Sequence, residues 1–190
     1  MQHALSFPPE LLLKAQGPGL GLKAAIFDVD GVLTDGRIYI GESGEVFKAF
    51  ATLDGHGLKL LAQAGIAPVV ITGRDSPAVR RRVADLGLVH AVYGAKDKLA
   101  AAAPLLTALG LHWDEVAAIG DDWPDLPLFA CAGFACAPAN AHAEARGAAA
   151  HVTEREGGRG AAREFCDLLL MANGLYAPLM TKLLVTLDSK

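Results

Sequence analysis

The fold is decided by Ala24-Ala25-Ile26-Phe27-Asp28-Val29-Asp30-Gly31-Val32-Leu33-Thr34-Asp35-Gly36, in which an apolar run leads straight into an acidic loop. The first four residues are typical of a strand buried on both faces of a parallel sheet. Asp28 and Asp30 follow at the carboxyl end of this strand, where open α/β sheets bind ligands. Buried carboxylates are costly unless a cation or substrate uses them, so the stretch predicts a functional site. A plain polar turn is the alternative, because Asp and Gly are also common in turns.

Further apolar runs follow this stretch at helix-sized intervals. Strands are predicted over 67–71, 89–93, 116–119 and 133–136, with a weaker one over 149–152. Helices are predicted over 57–63, 77–86, 98–109, 124–130 and 161–172. This alternation predicts an α/β fold, a doubly wound parallel sheet with right-handed crossovers.

Residues 37–50 break this rhythm, because apolar and polar residues alternate there on both sides of a Gly-rich turn. The pattern predicts an inserted β-hairpin. Apolar residues lie on both of its faces, more than a lone solvated hairpin should expose: Ile38, Ile40, Val46 and Phe47. Hairpins of several subunits could associate to bury them, or the hairpin could pack against its own sheet.

The chain is predicted to form one domain over 23–173, with an amino-terminal extension over 1–22 and a carboxyl-terminal tail over 174–190. In the extension, residues 6–10 can cap a short helix that runs through Lys14. The tail is apolar but has no helical or strand period. We therefore assign it no structure from the sequence.

Composition excludes several classes of function. Seventeen basic and twenty-one acidic residues give a net charge of −4, without a basic stripe for nucleic acid. No apolar run reaches the roughly 20 residues of a membrane span, and the start of the chain lacks a signal-peptide pattern. The three cysteines, an odd number in apolar surroundings, indicate buried thiols in a reducing compartment. We expect a cytoplasmic protein.

A second group of acids, Asp121, Asp122 and Asp125, follows the strand predicted over 116–119. In a parallel sheet this loop emerges at the same edge as the loop of Asp28. Carboxylates that converge there would repel one another by several kcal/mol without a counter-charge. Mg²⁺ fits this site, since it binds a few carboxylates together with water and phosphate. Two unrelated helix caps are the alternative.

Two further positions fit a phosphate group. Thr72-Gly73-Arg74 ends the strand over 67–71 and offers a hydroxyl and backbone N–H groups at a helix start. Lys98 opens the helix over 98–109 and can place a positive charge on a transferring group. Each of these two patterns is weak evidence alone, but their order and spacing along the chain support a phosphate site.

Taken in chain order, these residues resemble the four-motif signature of haloacid dehalogenase-type phosphatases. The matching pieces are Asp28–Asp35, Thr72, Lys98 and Gly120-Asp121-Asp122. The resemblance implies a haloacid dehalogenase-like Rossmannoid core in which Asp28 attacks phosphorus and becomes an aspartyl-phosphate. Asp30 would protonate the leaving alcohol and then activate water as a base. The Asp28 and Asp121 carboxylates and the Asp30 backbone carbonyl would hold Mg²⁺.

The resemblance also implies the residues that bind phosphate. Thr72 and Lys98 would bind the phosphoryl oxygens and stabilise charge in the transition state, with Gly73 and Arg74 in the same binding turn. Asp122 would position the metal site or Lys98. Asp125 would be a neighbour of this site.

The spacing of the motifs leaves no room for a cap domain. The interval from Asp30 to Thr72 holds one hairpin and one helix, and each later interval holds only a helix and a strand. Phosphoryl transfer nevertheless requires water to be excluded from the site. We therefore expect the lid to come from another subunit.

The sequence resembles in particular the capless tetrameric phosphatases that act on 3-deoxy-D-manno-octulosonate 8-phosphate, in lipopolysaccharide precursor synthesis. The points of resemblance lie in 28–36, 44–50, 54–57, 71–74 and 157–164. The resemblance implies a homotetramer whose hairpins form an intersubunit barrel, and a segment around 157–160 that reaches a neighbouring active site. Arg159 would then meet the carboxylate or hydroxyls of a small phosphorylated sugar acid. Without the resemblance, Gly-rich residues 157–160 would indicate a flexible turn.

Three alternatives remain at this point. Leu53 and His56 depart from the residues typical of this subfamily near the substrate, which leaves open the phosphate of a nine-carbon acid, 2-keto-3-deoxynonulosonate 9-phosphate. A non-catalytic tetramerisation module is disfavoured, because it has little reason to keep a costly carboxylate cluster. A phosphorylation-signalling receiver is disfavoured because Asp30 beside Asp28 promotes turnover of the phosphoryl group.

Overall fold

The computed structural model describes residues 4–18 and 21–188. The strands are β1 (Ala24–Phe27), β2 (Tyr39–Gly41), β3 (Gly44–Phe47), β4 (Ala67–Ile71), β5 (His90–Val92), β6 (Val116–Ile119), β7 (Phe134–Ala137) and β8 (His151–Val152). The helices are α1 (Pro9–Lys14), α2 (Thr52–Gln63), α3 (Pro77–Leu86), α4 (Lys98–Leu109), α5 (Leu126–Cys131), α6 (Ala143–Ala148), α7 (Ala161–Ala172) and α8 (Tyr176–Asp188). Residues 1–3, 19, 20, 189 and 190, which belong to the two predicted terminal segments, lie outside the described residues.

Six strands form one parallel sheet in the order β5-β4-β1-β6-β7-β8, with β1 near its centre. Strand residues alternate between two buried clusters, because successive side chains of a strand point to opposite faces. Phe27 and Ile119 pack with α2, α3 and α7 on one face, whereas Ile26 and Ala118 pack with α4, α5 and α6 on the other. The predicted doubly wound sheet is confirmed.

Helix α6 was not predicted. Among the predicted elements, the bounds agree with the structure for β1, β4, β6, α3, α4 and α7, and the largest error lies in α2. This helix begins at Thr52 rather than at residue 57. Gly55 and Gly57 weaken the local helix signal. A tertiary contact outweighs it, since the buried Asp54 carboxylate accepts the backbone N–H of Arg163 at 2.8 Å and of Gly160 at 3.3 Å.

Both terminal segments contain a helix. The amino-terminal helix α1 begins after Pro8 without a side-chain cap, so the predicted cap is wrong. The tail, to which the sequence assigned no structure, forms α8, and Leu175, Tyr176 and Leu179 pack against the core on the side of α7. The first two residues of the helix predicted over 124–130 belong instead to a separate 3-10 turn, Trp123–Asp125, which precedes α5.

Strands β2 and β3 form a separate two-stranded sheet, with the Tyr39 and Phe47 rings stacked 4.4 Å apart. Packing of this hairpin against its own sheet was the alternative, and the structure does not have it. Ile40 is 73 % exposed and Val46 is 62 % exposed, and Ile38 and Phe47 are exposed as well. Within the described residues, the other intervals up to β6 contain single helices, so the prediction of no cap domain is confirmed.

All three cysteines are free thiols. Burial raises the pKa of Cys136 and of Cys166 above the usual range, which makes these thiols unreactive. Cys131 is exposed at the end of α5, so the prediction of burial is wrong at this position. Among the described helices, none is both long and apolar enough to cross a membrane.

The Gly-rich segment before α7 packs tightly on its own subunit. Gly158 donates its backbone N–H to the Val32 carbonyl at 2.9 Å, and Gly157 donates to Asn140 Oδ1 at 2.9 Å. A Cβ atom on Gly157 would lie 1.7 Å from the Gly31 carbonyl oxygen. The segment is therefore not a flexible turn, because Gly157 and Gly158 pack against the loop that follows β1. The expected reach of this segment toward a neighbouring active site stays a prediction.

We expect Gly157→Ala to lower the free energy of unfolding by about 1–3 kcal/mol, because the added methyl group has no space against the Gly31 carbonyl. Gly147→Ala in α6 is the matched control: no atom lies within 4 Å of its added Cβ, and it should be neutral or stabilising. Urea denaturation measures both variants. Equal stabilities would contradict this account of the segment.

Candidate active site

Loops at the carboxyl ends of β1, β4 and β6 bring the predicted site residues to one edge of the sheet. Phe27 of β1 lies opposite both Val70 of β4 and Ile119 of β6. The residues that follow these strands therefore emerge side by side. The Asp28 backbone N–H extends the pairing by donating to the Ile119 carbonyl at 3.1 Å, which fixes where the acidic loop begins.

Lys98 joins two of these loops. Its Nζ atom donates to Asp28 Oδ1 and to Asp125 Oδ1, each at 2.6 Å. All three side chains are buried. Burial disfavours the charged form of Lys98, but the two carboxylates outweigh it and raise the lysine pKa. Buried charges are stable only when they are paired in this way, so each residue depends on the other two.

Asp125, rather than Asp122, makes the contact with Lys98. The Asp122 side chain is exposed and is not one of the hydrogen-bond partners of Lys98, so it does not hold this lysine directly. Its predicted role at the metal site stays a prediction. The 3-10 turn after Asp122 brings Asp125 back over its own loop. Its Oδ2 atom accepts the backbone N–H of Asp121 at 3.1 Å and of Asp122 at 3.3 Å. The signal in the sequence was the acid four positions after Asp121.

The carboxylates fit a divalent cation. Asp28, Asp121 and Asp125 each offer an oxygen within 4.8 Å of the others, and the Lys98 ammonium leaves excess negative charge among them. Because both Asp125 oxygens already accept hydrogen bonds, Asp28 and Asp121 are the available ligands. A Cβ atom on Gly31, whose φ is +99°, would lie 2.0 Å from Asp121 Oδ2, so only glycine lets the two loops approach.

Burial and mutual repulsion hold the acids back from ionising. Burial raises the pKa of Asp28, Lys98 opposes this, and Asp125 and Asp121 add to it, which gives a value of about 8. Burial and the neighbouring Asp125 raise the pKa of Asp121 to about 6. The raised pKa of Asp28 means that a proton and a cation compete for this carboxylate.

Asp30 lies in a separate cluster with residues of the hairpin. Lys48 Nζ donates to Asp30 Oδ1 at 2.5 Å and lies 3.2 Å from Glu45 Oε2. The Ser76 hydroxyl donates to Glu45, and the Arg74 guanidinium lies between the two carboxylates. Sequence reasoning used Glu45 and Lys48 only as points of resemblance, because pairing across a loop leaves no period in the sequence.

The predicted phosphate-binding turn has a mixed outcome. Thr72 is buried, and its Oγ1 atom accepts the backbone N–H of Arg74 at 3.3 Å, while Gly73 is exposed beside it. The Arg74 side chain contacts Asp30 Oδ2 at 3.8 Å and Glu45 Oε2 at 3.7 Å. Phosphate binding by this turn stays a prediction.

Arg159 does not form an ion pair with Asp28, Asp121 or Asp125 of its own subunit. Its side chain is 64 % exposed and lies 3.4 Å from Glu156 Oε2. The adjoining Gly158 is held against the catalytic loop, so Arg159 occupies a fixed place beside that loop. Contact with a substrate stays a prediction.

Comparison with known proteins gives consistent matches. A model of haloacid dehalogenase-like hydrolases matches residues 91–165. The chain is 43 % identical to the 3-deoxy-D-manno-octulosonate 8-phosphate phosphatase KdsC of Salmonella typhimurium, over 87 % of this chain and 86 % of that one. A probable YrbI family phosphatase of Pseudomonas syringae has a TM-score of 0.87 at 42 % identity, covering 93 % and 98 % of the two chains. The octulosonate phosphatase of Moraxella catarrhalis, crystallised with magnesium, phosphate and KDO, has a TM-score of 0.85 at 38 % identity, covering 92 % and 98 %.

We expect Mg²⁺ affinity to increase from pH 6 to pH 8, by up to about tenfold per pH unit, because binding displaces a proton from Asp28. Isothermal titration calorimetry in buffers of different ionisation enthalpy measures the affinity and the protons released. Glu42→Gln, which changes an exposed acid in the turn of the hairpin, is the control and should keep this dependence. An affinity independent of pH would contradict the raised pKa of Asp28.

Proposed function

This chain belongs to the 3-deoxy-D-manno-octulosonate 8-phosphate phosphatases of the haloacid dehalogenase-like hydrolases, and we propose how its own residues perform that reaction. The enzyme hydrolyses 3-deoxy-D-manno-octulosonate 8-phosphate to the free sugar acid and phosphate, a step in lipopolysaccharide precursor synthesis. The observation that carries the mechanism is the buried Asp28 carboxylate, paired with Lys98 at the carboxyl edge of the sheet.

In the first step, Asp28 attacks phosphorus and the bond to the sugar oxygen breaks, which forms an aspartyl-phosphate. Asp30 gives a proton to the leaving sugar oxygen, because an alkoxide is a poor leaving group. Lys98, which is held by Asp125, keeps a positive charge beside the reacting carboxylate. Thr72 binds a phosphoryl oxygen from the neighbouring loop.

In the second step, Asp30 takes a proton from a water molecule, which attacks phosphorus and releases phosphate. The bond between phosphorus and Asp28 breaks, and the nucleophile is restored. The two acids can divide the work because they lie in different surroundings. Asp28 is enclosed with Lys98, whereas Asp30 is 20 % exposed and contacts the hairpin.

The enzyme needs a divalent metal, and we propose Mg²⁺ bound by the carboxylates of Asp28 and Asp121 and the backbone carbonyl of Asp30. When bound, Mg²⁺ neutralises the carboxylates and stabilises the charge that develops on the phosphoryl oxygens. Oxygen-only ligands and excess negative charge support this choice. Asp125 holds the loop and Lys98 in place without serving as a ligand.

We propose that the hairpins of four subunits associate and close the active sites. The support is the exposed apolar surface of β2 and β3 next to a site without its own lid. The Glu45 and Lys48 side chains connect this hairpin directly to Asp30. Three free thiols are consistent with a reducing compartment, so we propose a cytoplasmic location.

Release of phosphate from a panel of esters tests the function. We expect octulosonate 8-phosphate to be preferred over 2-keto-3-deoxynonulosonate 9-phosphate and hexose phosphates, with activity lost on chelation and restored by Mg²⁺. Asp28→Asn should lower turnover by at least about 10⁴-fold while the fold stays intact. Preference for the nine-carbon acid phosphate would change the assigned substrate but not the mechanism. An active Asp28→Asn variant would contradict the mechanism.

The doubly substituted variant Ile40→Glu, Val46→Glu tests the hairpin assembly. Charges on this exposed apolar surface should prevent association, so light scattering is expected to show a tetramer for the wild type and monomers for the variant. Val89→Glu is the control, because Val89 is 84 % exposed on the main domain, outside the hairpin. An unchanged mass in the doubly substituted variant would rule out this interface.

A further inference from the structure

Lys48 is a buried lysine that the four motifs do not include. It follows β3 at the base of the hairpin, and its side chain is 0 % exposed. A buried ammonium is costly unless it is paired, and Lys48 has two carboxylate partners, Asp30 and Glu45. Lys48 therefore lies between the hairpin and Asp30, the proposed acid of the reaction.

The two oxygens of Asp30 have different surroundings. Oδ1 accepts a hydrogen bond from Lys48 Nζ at 2.5 Å. Oδ2 is enclosed and has no hydrogen-bond partner among the described residues, and Arg74 Nε lies 3.8 Å from it. One oxygen is therefore fixed, while the other is available to exchange a proton.

Lys48 is itself held in place by Glu45, which also contacts Ser76 near the Thr72 turn. Glu45 Oε2 forms an ion pair with Lys48, and Glu45 Oε1 accepts a hydrogen bond from the Ser76 hydroxyl. Burial opposes ionisation of Glu45, but the hydrogen bonds from Ser76 and Lys48 outweigh it and lower the Glu45 pKa. Ser76 immediately precedes α3, just after the Thr72 turn. The hairpin thus connects Asp30 to the turn that is predicted to bind phosphate.

We propose that Lys48 is a positioning residue for proton transfer. It fixes Asp30 through Oδ1, so that Oδ2 gives the proton to the leaving sugar oxygen and later takes one from water. The inference rests on the proposed role of Asp30 as acid and base. A lysine that merely anchored the hairpin would affect all substrates alike.

The test compares two leaving groups in the Mg²⁺-loaded enzyme. Release of the sugar alcohol needs a proton from Asp30, whereas release of nitrophenolate from p-nitrophenyl phosphate does not. In Lys48→Met, we expect the first turnover of the sugar phosphate to slow by about 10²-fold or more, as for loss of general acid catalysis. With p-nitrophenyl phosphate the first turnover should change little, and a burst of one nitrophenolate per site should precede slow hydrolysis of the aspartyl-phosphate.

Two comparisons keep the outcome interpretable. Lys59→Met removes an exposed lysine of α2 and should behave as the wild type. Lys48→Gln keeps a hydrogen-bond donor, so its first turnover of the sugar phosphate should slow by less than in Lys48→Met, while p-nitrophenyl phosphate is again little affected. This variant replaces Lys48→Met in the test if the Met variant does not fold. Circular dichroism and light scattering check the fold and the assembly of each variant.

The two proposals fail in different ways. Asp30→Asn should show the same dependence on leaving group, and full activity of this variant on the sugar phosphate would overturn the acid and base role. If Asp30→Asn behaves as expected but the Lys48 variants lose both substrates equally, without a burst, the positioning role of Lys48 is wrong. The double variant Lys48→Met, Asp30→Asn should turn over the sugar phosphate little more slowly than Asp30→Asn alone, because both substitutions act on one proton transfer.

Discussion

The active-site edge of this protein depends on one buried ammonium group, Lys98 Nζ, which is shared by the carboxylates of Asp28 and Asp125. Without it, three acids would meet in a buried space with no positive charge beside them. Lys98 is the first residue of α4, which follows β5, and the parallel sheet brings this lysine to the loops that follow β1 and β6. The fold and the chemistry are thus connected through the Lys98 side chain.

The second constraint is close approach of backbone around the acidic loop. Gly31 lets the loop after β1 pass against Asp121, and Gly157 lets the segment before α7 rest on the Gly31 carbonyl. Asp54 fixes the other end of that segment by accepting N–H groups at the start of α7. The loop that carries both catalytic acids is therefore held from two sides, which keeps their geometry fixed during the reaction.

Much of this could be predicted because the signals are local. The apolar runs of β1, β4 and β6, and the residues that follow each run, identified the sheet edge and the acids Asp28 and Asp121. The contacts that could not be predicted join positions far apart: Lys48 with Asp30, Asp54 with α7, and Asp125 with Lys98. Helix α8 was missed because the tail has apolar residues without a clear period, and α2 began early because packing on α7 outweighed its glycines.

The central claim is that Asp28 carries the phosphoryl group between the two steps. The most direct measurement is rapid acid quenching of the Mg²⁺-loaded enzyme with ³²P-labelled octulosonate 8-phosphate, followed by peptide mapping. The account predicts a label that forms and decays within the turnover time, on the peptide containing Asp28, and that is lost in mild base as an acyl phosphate is. Turnover with no labelled enzyme at any quench time, or a label on another residue, would contradict it.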